Sequence, residues 1–130
     1  LTAQRRTRPS VLLIAGGVGI TPMRALFESL PINGGRLTLL YRASTRGDVV
    51  FRPELESIAR RRGAEIIWMI GPSSAPGLAM NGANLRRLVP DIADRDVFLC
   101  ASPGLSAAVR SAAREAGLPR KRLHEEAFAF

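Results

Sequence analysis

The 130-residue chain contains one cysteine, one histidine, one tryptophan and one tyrosine. A lone cysteine excludes an internal disulfide and suits a reducing compartment. With one cysteine and one histidine there is no cluster at metal-ligand spacing, so no metal site is expected. No run reaches the roughly eighteen uncharged apolar residues of a membrane span, and the amino-terminal segment lacks the pattern of a signal peptide. The piece is therefore expected to be soluble. Lysine is nearly absent: of the nineteen basic residues all but Lys121 are arginine, which reads as compositional bias. Aromatic residues make up 5% of the chain and are not interleaved with the basic ones. Despite a formal net charge of +8, a stacking platform for nucleic acid is not expected.

What is present is enough apolar material, 46% of residues, to exclude disorder and to bury a core in one domain spanning 1–130. The chain starts at Leu1 and runs through a polar stretch to Arg8, so a domain of a longer protein is expected. The most informative stretch is Val11 to Pro22, an apolar run that breaks into Gly16, Gly17, Val18 and Gly19 and restarts at Thr21-Pro22. The apolar part suits a strand buried on both faces of a parallel sheet. Thr21 is expected to cap a helix opened by Pro22. Between them the glycines let backbone amides approach a bound group, and the helix dipole favours an anion, so a pyrophosphate is the natural guest.

Strand-like runs follow at Leu37–Tyr41, Glu65–Ile70, Asp96–Cys100 and, more weakly, Arg122–Glu125. Helical spacing places Met23, Leu26, Phe27 and Leu30 on one face, with Pro31 ending that helix. It does the same for Leu55, Ile58 and Ala59 before Gly63, and for Leu105, Ala108, Val109 and Ala112 before Gly117. A short helix is expected near Asn84–Leu88. Arg60, Arg61 and Arg62 close a helix that Glu54 and Glu56 open, as the macrodipole favours. The segment Gly71–Gly82 reads as a mobile surface loop too polar to pack. Alternating strands and helices predict an α/β domain built on an open parallel sheet with helices on both faces and right-handed crossovers. Ligands then bind beyond the carboxyl ends of the strands, on a rim formed by Gly16–Thr21, Arg42–Arg46, Gly71–Ser74 and Cys100–Gly104.

The second strand ends in Tyr41-Arg42-Ala43-Ser44-Thr45-Arg46. A site for an unphosphorylated ribose usually carries an acid here, and none occurs before Asp48. Two arginines around a serine suit a 2′-phosphate, so NADPH is favoured over NADH. Two solvated surface arginines are the bland alternative. Cys100 ends an apolar strand on the ligand rim, and it reads either as packing or as a functional thiol. Nothing in the sequence brings it to His124, so Cys-His hydrolysis is not expected.

Four ordered stretches together resemble the nucleotide-binding half of the ferredoxin–NADP reductase superfamily. They are the turn with Pro22 in place of a third glycine, the run from Tyr41-Arg42 through Asp48, Phe51 and Glu54-Leu55, the segment Cys100-Ala-Ser-Pro-Gly-Leu105, and the closing Glu126-Ala-Phe128. The ending Leu123–Phe130 is most similar to the reductase portion of ferric-reductase and NADPH-oxidase-like flavoproteins. The resemblance implies a Rossmann-like, five-stranded parallel sheet of order 3-2-1-4-5, with Gly17, Gly19 and Thr21 holding the pyrophosphate and Arg42, Ser44 and Arg46 the adenosine ribose. It implies that Cys100 lies against the nicotinamide with Glu126 nearby, and that Phe128 or Phe130 covers the flavin. Ala101-Ser102 replaces the family's Gly-Pro beside the cofactor, with Ser102 a candidate cap for the helix that Pro103 opens.

The family's flavin, FAD or FMN, is held mostly by an N-terminal β-barrel domain with an R-x-Y-[ST] motif that this chain lacks. The implied function is therefore an NADPH-binding domain passing hydride to a flavin on that partner domain, with the final acceptor open. The alternative is a non-catalytic nucleotide-binding or regulatory module on the same fold. A cytoplasmic location is implied, and tethering of the parent protein to the cytoplasmic face of a membrane is left open.

Overall fold

A computed structural model describes residues 6–125. Glu126, Phe128 and Phe130 lie outside the described residues. The strands are β1 (Val11–Gly16), β2 (Leu37–Ala43), β3 (Glu65–Ile70), β4 (Asp96–Cys100) and β5 (Leu123–Glu125). The helices are α1 (Ile20–Ser29), α2 (Arg52–Arg62), α3 (Gly82–Leu88) and α4 (Pro103–Glu115). All strands are parallel, as the alternation of strands and helices predicts, and lie in the order β3-β2-β1-β4-β5 that the resemblance implies.

Every residue of β1 and β2 is buried, because helices cover both faces of the sheet centre. Side chains alternate across a strand, so β1 feeds two cores at once. Val11, Leu13 and Ala15 pack with Met23 and Phe27 of α1 and Leu55 and Ile58 of α2. Leu12 and Ile14 pack with Leu85 of α3 and Val109 and Ala112 of α4. Leu26, Ala59, Leu105 and Ala108 sit at the margins, only half-buried. Among the described residues no helix is long and apolar enough to cross a membrane.

Two expectations need correction. The helix after β1 begins at Ile20, behind a 3-10 turn over Gly17–Gly19, and its cap residue is Gly19 without a side-chain cap bond. Thr21 is thus an exposed first-turn residue. Pro22 is tolerated because amide groups of the first turn have no intrahelical acceptor. Residues 71–81 also pack after all. Leu78 and Met80 lie half-buried against the core under α3 and α4. The Ala79 carbonyl accepts from Asn84 Nδ2 at 2.7 Å, and Arg87 Nη2 reaches the Gly77 carbonyl at 3.1 Å. Two apolar side chains in a polar stretch were enough to anchor it.

The amino-terminal ends of the strands carry two buried polar networks. Arg95 is 1% exposed. Its Nε meets Asp91 Oδ1 at 2.9 Å, and its Nη1 donates to the Val11 carbonyl and to Thr38 Oγ1. Asp96 is fully buried. It accepts from the amides of Thr7, at 2.6 Å, and Arg8, and its Oδ1 lies 2.9 Å from His124 Nε2. These groups tie β1, β2, β4, β5 and the segment before β1 together at the end of the sheet opposite the glycine turn.

Candidate nucleotide site

At the carboxyl ends of the strands a cleft of about 1130 Å³ opens beside β1. Strand β1 has β2 on one side and β4 on the other. The chain therefore winds away from it in both directions, and such reversals leave a crevice for ligands. The cleft is walled by Gly16, Gly17, Val18, Thr21 and Pro22 of the turn, Arg42 and Ser44 after β2, and Ser102 before α4. Gly71–Ser74 contributes Ser73.

The three glycines of the turn do different work. Gly17 has φ 59 with nothing near an added Cβ, so it faces open space in a backbone conformation that favours glycine. A Cβ on Gly16 would collide with Cδ2 of Leu105, and one on Gly19 with the carbonyl oxygen of Cys100. Gly16 and Gly19 thus allow the turn to pack against α4 and the end of β4. Of the three, Gly17 is the one with open space where a Cβ would stand.

On the β2 side, Arg42 is 8% exposed. Its Nη1 donates to the carbonyls of Ala43, at 2.5 Å, and Met69, at 3.2 Å, and burial pushes its guanidinium below its ordinary pKa. This arginine lines the cleft while spending one nitrogen on the sheet edge. Arg46 is exposed, in a 3-10 turn over Arg46–Asp48, and is not part of the cleft wall. Asp48 is part of that wall, and its Oδ2 accepts from Thr45 Oγ1 at 3.0 Å. The following residues are pinned by the buried Tyr41, whose hydroxyl accepts from the Val50 amide at 3.0 Å and donates to the Asp48 carbonyl at 3.4 Å.

On the β4 side, Ser102 stands exposed at the cap position of α4, yet its side chain makes no cap bond. Pro103 occupies the first turn outside the cleft wall. Cys100, implied to face the nicotinamide, is 1% exposed and packs in the core shared with Phe98 and α1. Burial pushes its thiol pKa up, which disfavours a reactive thiolate. His124 is engaged with Asp96 and stacks on Phe98 at 4.8 Å between ring centroids. A Cys100→Ser substitution is expected to bury a hydroxyl and destabilise the fold by about 1–3 kcal/mol. A thermal melt alongside the rate of flavin reduction in the full-length protein separates this from a role at the nicotinamide. A lower rate with an unchanged melting point would restore the thiol to the site.

The sequence motifs include Val18 and Phe51 but not Val50, and they do not show that the three form an apolar wall. Among the described residues the exposed large hydrophobics are Val18, Val50 and Phe51, at 55, 45 and 37%, and all three line the cleft. The available signal was the pair Val50-Phe51 immediately ahead of a helix, where a core function is hard to satisfy.

Residues 13–111 match the family model described as the oxidoreductase NAD-binding domain. The chain belongs to that family, the nucleotide-binding domain of the ferredoxin–NADP reductase superfamily. It is 33% identical over 118 residues to the ferredoxin reductase component of 3-ketosteroid-9-alpha-monooxygenase from Mycobacterium tuberculosis, covering 90% of this chain and 33% of the relative. It is 31% identical over 127 residues to the glycine betaine monooxygenase reductase subunit of Pseudomonas aeruginosa, covering 91% of this chain and 35% of the relative. The chain thus spans about one third of the length of these relatives. Among solved structures, the FAD/NAD binding domain of a nitric oxide dioxygenase from Vibrio cholerae superposes with a TM-score of 0.71 at 27% identity, covering 95% of this chain and 52% of that one. The cytochrome b5 reductase domain of Ulva prolifera nitrate reductase shares the fold, with a TM-score of 0.65 at 23% identity over 92% of this chain and 50% of that one.

Proposed function

We propose that this chain binds NADPH and presents it to a flavin, FAD or FMN, held by another domain of the same protein. The observation that carries this reading is the glycine turn of β1 and α1 opening into a large cleft where the winding of the sheet reverses. The cleft residues suit a dinucleotide: Gly17 leaves room for a phosphate against the α1 amino terminus, and Val18, Val50 and Phe51 offer apolar contact for a ring. Gly16 through Pro22 would hold the pyrophosphate, Ser44, Arg46 and the remaining donors of Arg42 the phosphorylated ribose, and Ser102 the nicotinamide half. When bound, the nicotinamide supplies a hydride, whose transfer depends on proximity and orientation more than on acid–base groups. This fits a cleft wall whose carboxylate among the described residues is Asp48. Phe128 or Phe130 remains the proposed cover of the flavin, and Cys100, through its main chain and with Glu126 nearby, a proposed neighbour of the nicotinamide.

A second reading, NADH, is favoured by Asp48 in the cleft wall and by the engagement of Arg42 with two carbonyls. Calorimetric titration of the full-length protein with NADP+ and NAD+ decides between them. NADP+ is expected to bind more tightly, each charge-assisted contact to the 2′-phosphate contributing about 1.5–3 kcal/mol, and an Arg42→Ala, Arg46→Ala double variant is expected to lose that preference. Tighter binding of NAD+, abolished in Asp48→Ala, would establish the second reading. Binding of neither would overturn both.

A further inference from the structure

A second concavity, of about 250 Å³, lies between α4, the 3-10 turn over Arg120–Arg122 and β5. Its floor is apolar, made by the buried Ala113 and Leu118 and the half-buried Leu123. Its rim holds three guanidinium groups. Arg110 and Arg114 stand one helical turn apart on α4, where like charges repel, and Arg120 joins them from the turn before β5. One carboxylate on the rim answers them: Glu125 Oε1 lies 2.5 Å from Arg110 Nη1. Arg114 and Arg120 are exposed and, among the described residues, form no ion pair. Glu115, next to Arg114 in the chain, brings no relief, because its Oε1 accepts from the Gly82 amide at 2.9 Å. Positive charge therefore accumulates on this flank. Residues 110–122 carry five basic side chains against one acid, half of the chain's formal net charge of +8.

An apolar floor under an uncompensated guanidinium rim suits an anion that carries an apolar body. A guanidinium grips a carboxylate through two parallel hydrogen bonds, and the floor takes a ring or a branched chain out of water. A bare inorganic anion would leave that floor uncovered. At about 250 Å³, against about 1130 Å³ for the nucleotide cleft, the pocket holds a small molecule and not a dinucleotide. We propose that it is a binding site for a small organic carboxylate with an aromatic or branched aliphatic body. The site is separate from the cleft. Helix α4 lines the cleft with Leu105 and Ala108 and the pocket with Arg110, Ala113 and Arg114, which the helical period sets on different sides of the helix. The assignment thus does not depend on nucleotide binding.

The full-length protein, wild type and with Arg114→Ala and Arg120→Ala combined, is titrated calorimetrically with benzoate, benzyl alcohol and inorganic phosphate, and separately with NADP+. Benzoate is expected to bind the wild type with millimolar or tighter affinity, phosphate more weakly, and the uncharged alcohol not measurably. The double variant is expected to weaken benzoate about tenfold or more, because two charge-assisted contacts are removed. Its melting temperature and NADP+ affinity are expected to match the wild type, since both side chains are exposed and lie outside the cleft wall. Absence of benzoate binding overturns the proposal. Benzoate affinity unchanged in the double variant also overturns it, by placing the ligand elsewhere, and phosphate binding as tightly as benzoate does so by making the floor irrelevant. Benzoate binding that depends on the two arginines, in a protein that fails to bind NADP+, supports the pocket and overturns the nucleotide reading alone.

Discussion

Asp96→Ala is expected to destabilise the fold by about 3–5 kcal/mol, because it leaves His124 and the amides of Thr7 and Arg8 without their shared acceptor in a buried place. The same carboxylate makes stability depend on pH in a definite direction. Burial raises its pKa, but the hydrogen bonds from His124, Thr7 and Arg8 outweigh burial and hold the carboxyl below its ordinary value. A group whose folded pKa is depressed contributes its full stabilisation above the unfolded carboxylate range, about 4, and loses it as the pH falls through the folded value. Urea midpoints measured from pH 7 down to pH 3 are expected to fall steeply below about pH 4 in the wild type. In Asp96→Asn, which keeps an acceptor and a donor in place without the charge, that fall is expected to be shallower. Parallel pH profiles for the two proteins would remove Asp96 from the explanation.

Gly19→Ala is the substitution in the turn with the largest expected effect. Its Cβ would strike the Cys100 carbonyl, and a main-chain oxygen inside a ladder cannot swing aside as a side-chain end can. Overpacking of this kind costs about 1–3 kcal/mol, and the turn would have to move away from β4. Loss of stability is therefore expected together with loss of nucleotide affinity, read from thermal melts and from titration of the same protein. Gly104→Ala is the control: the Cβ meets nothing within 4 Å, and the site lies in the first turn of α4. There the exchange is expected to stabilise by about 0.4–1 kcal/mol. Equal melting temperatures for Gly19→Ala and wild type would show that the turn does not depend on this contact.

The fold was legible because its signals are local and repeated. Val11–Gly16, Glu65–Ile70 and Asp96–Cys100 are strands at the expected residues; each is an apolar run between turn residues, and the alternation with helices constrains the sheet order. The helix after β1 starts two residues before the Pro22 that the Thr-Pro pair marks. Thr-Pro is a strong cap signal, whereas the 3-10 turn that displaces it is fixed by the approach of Gly19 to β4. The loop after β3 reads as too polar to pack because its polar residues outnumber Leu78 and Met80, whose burial depends on where α3 and α4 lie.

The candidate site shows the same division. Residue types and order along the chain determined the parallel α/β sheet, the glycine turn and the rim on which the cleft opens, since these follow from hydrophobic periodicity and backbone freedom within short windows. Tertiary structure alone decided which of those residues face the cleft. It turned the Cys100 thiol into the core, committed Arg42 Nη1 to the carbonyls of Ala43 and Met69, brought Asp48 into the wall, and set Phe51 under Arg24 across the gap between α1 and α2. The physical reason is that a side chain's direction at a strand end or in a turn depends on contacts with elements distant in sequence. No local pattern encodes those contacts.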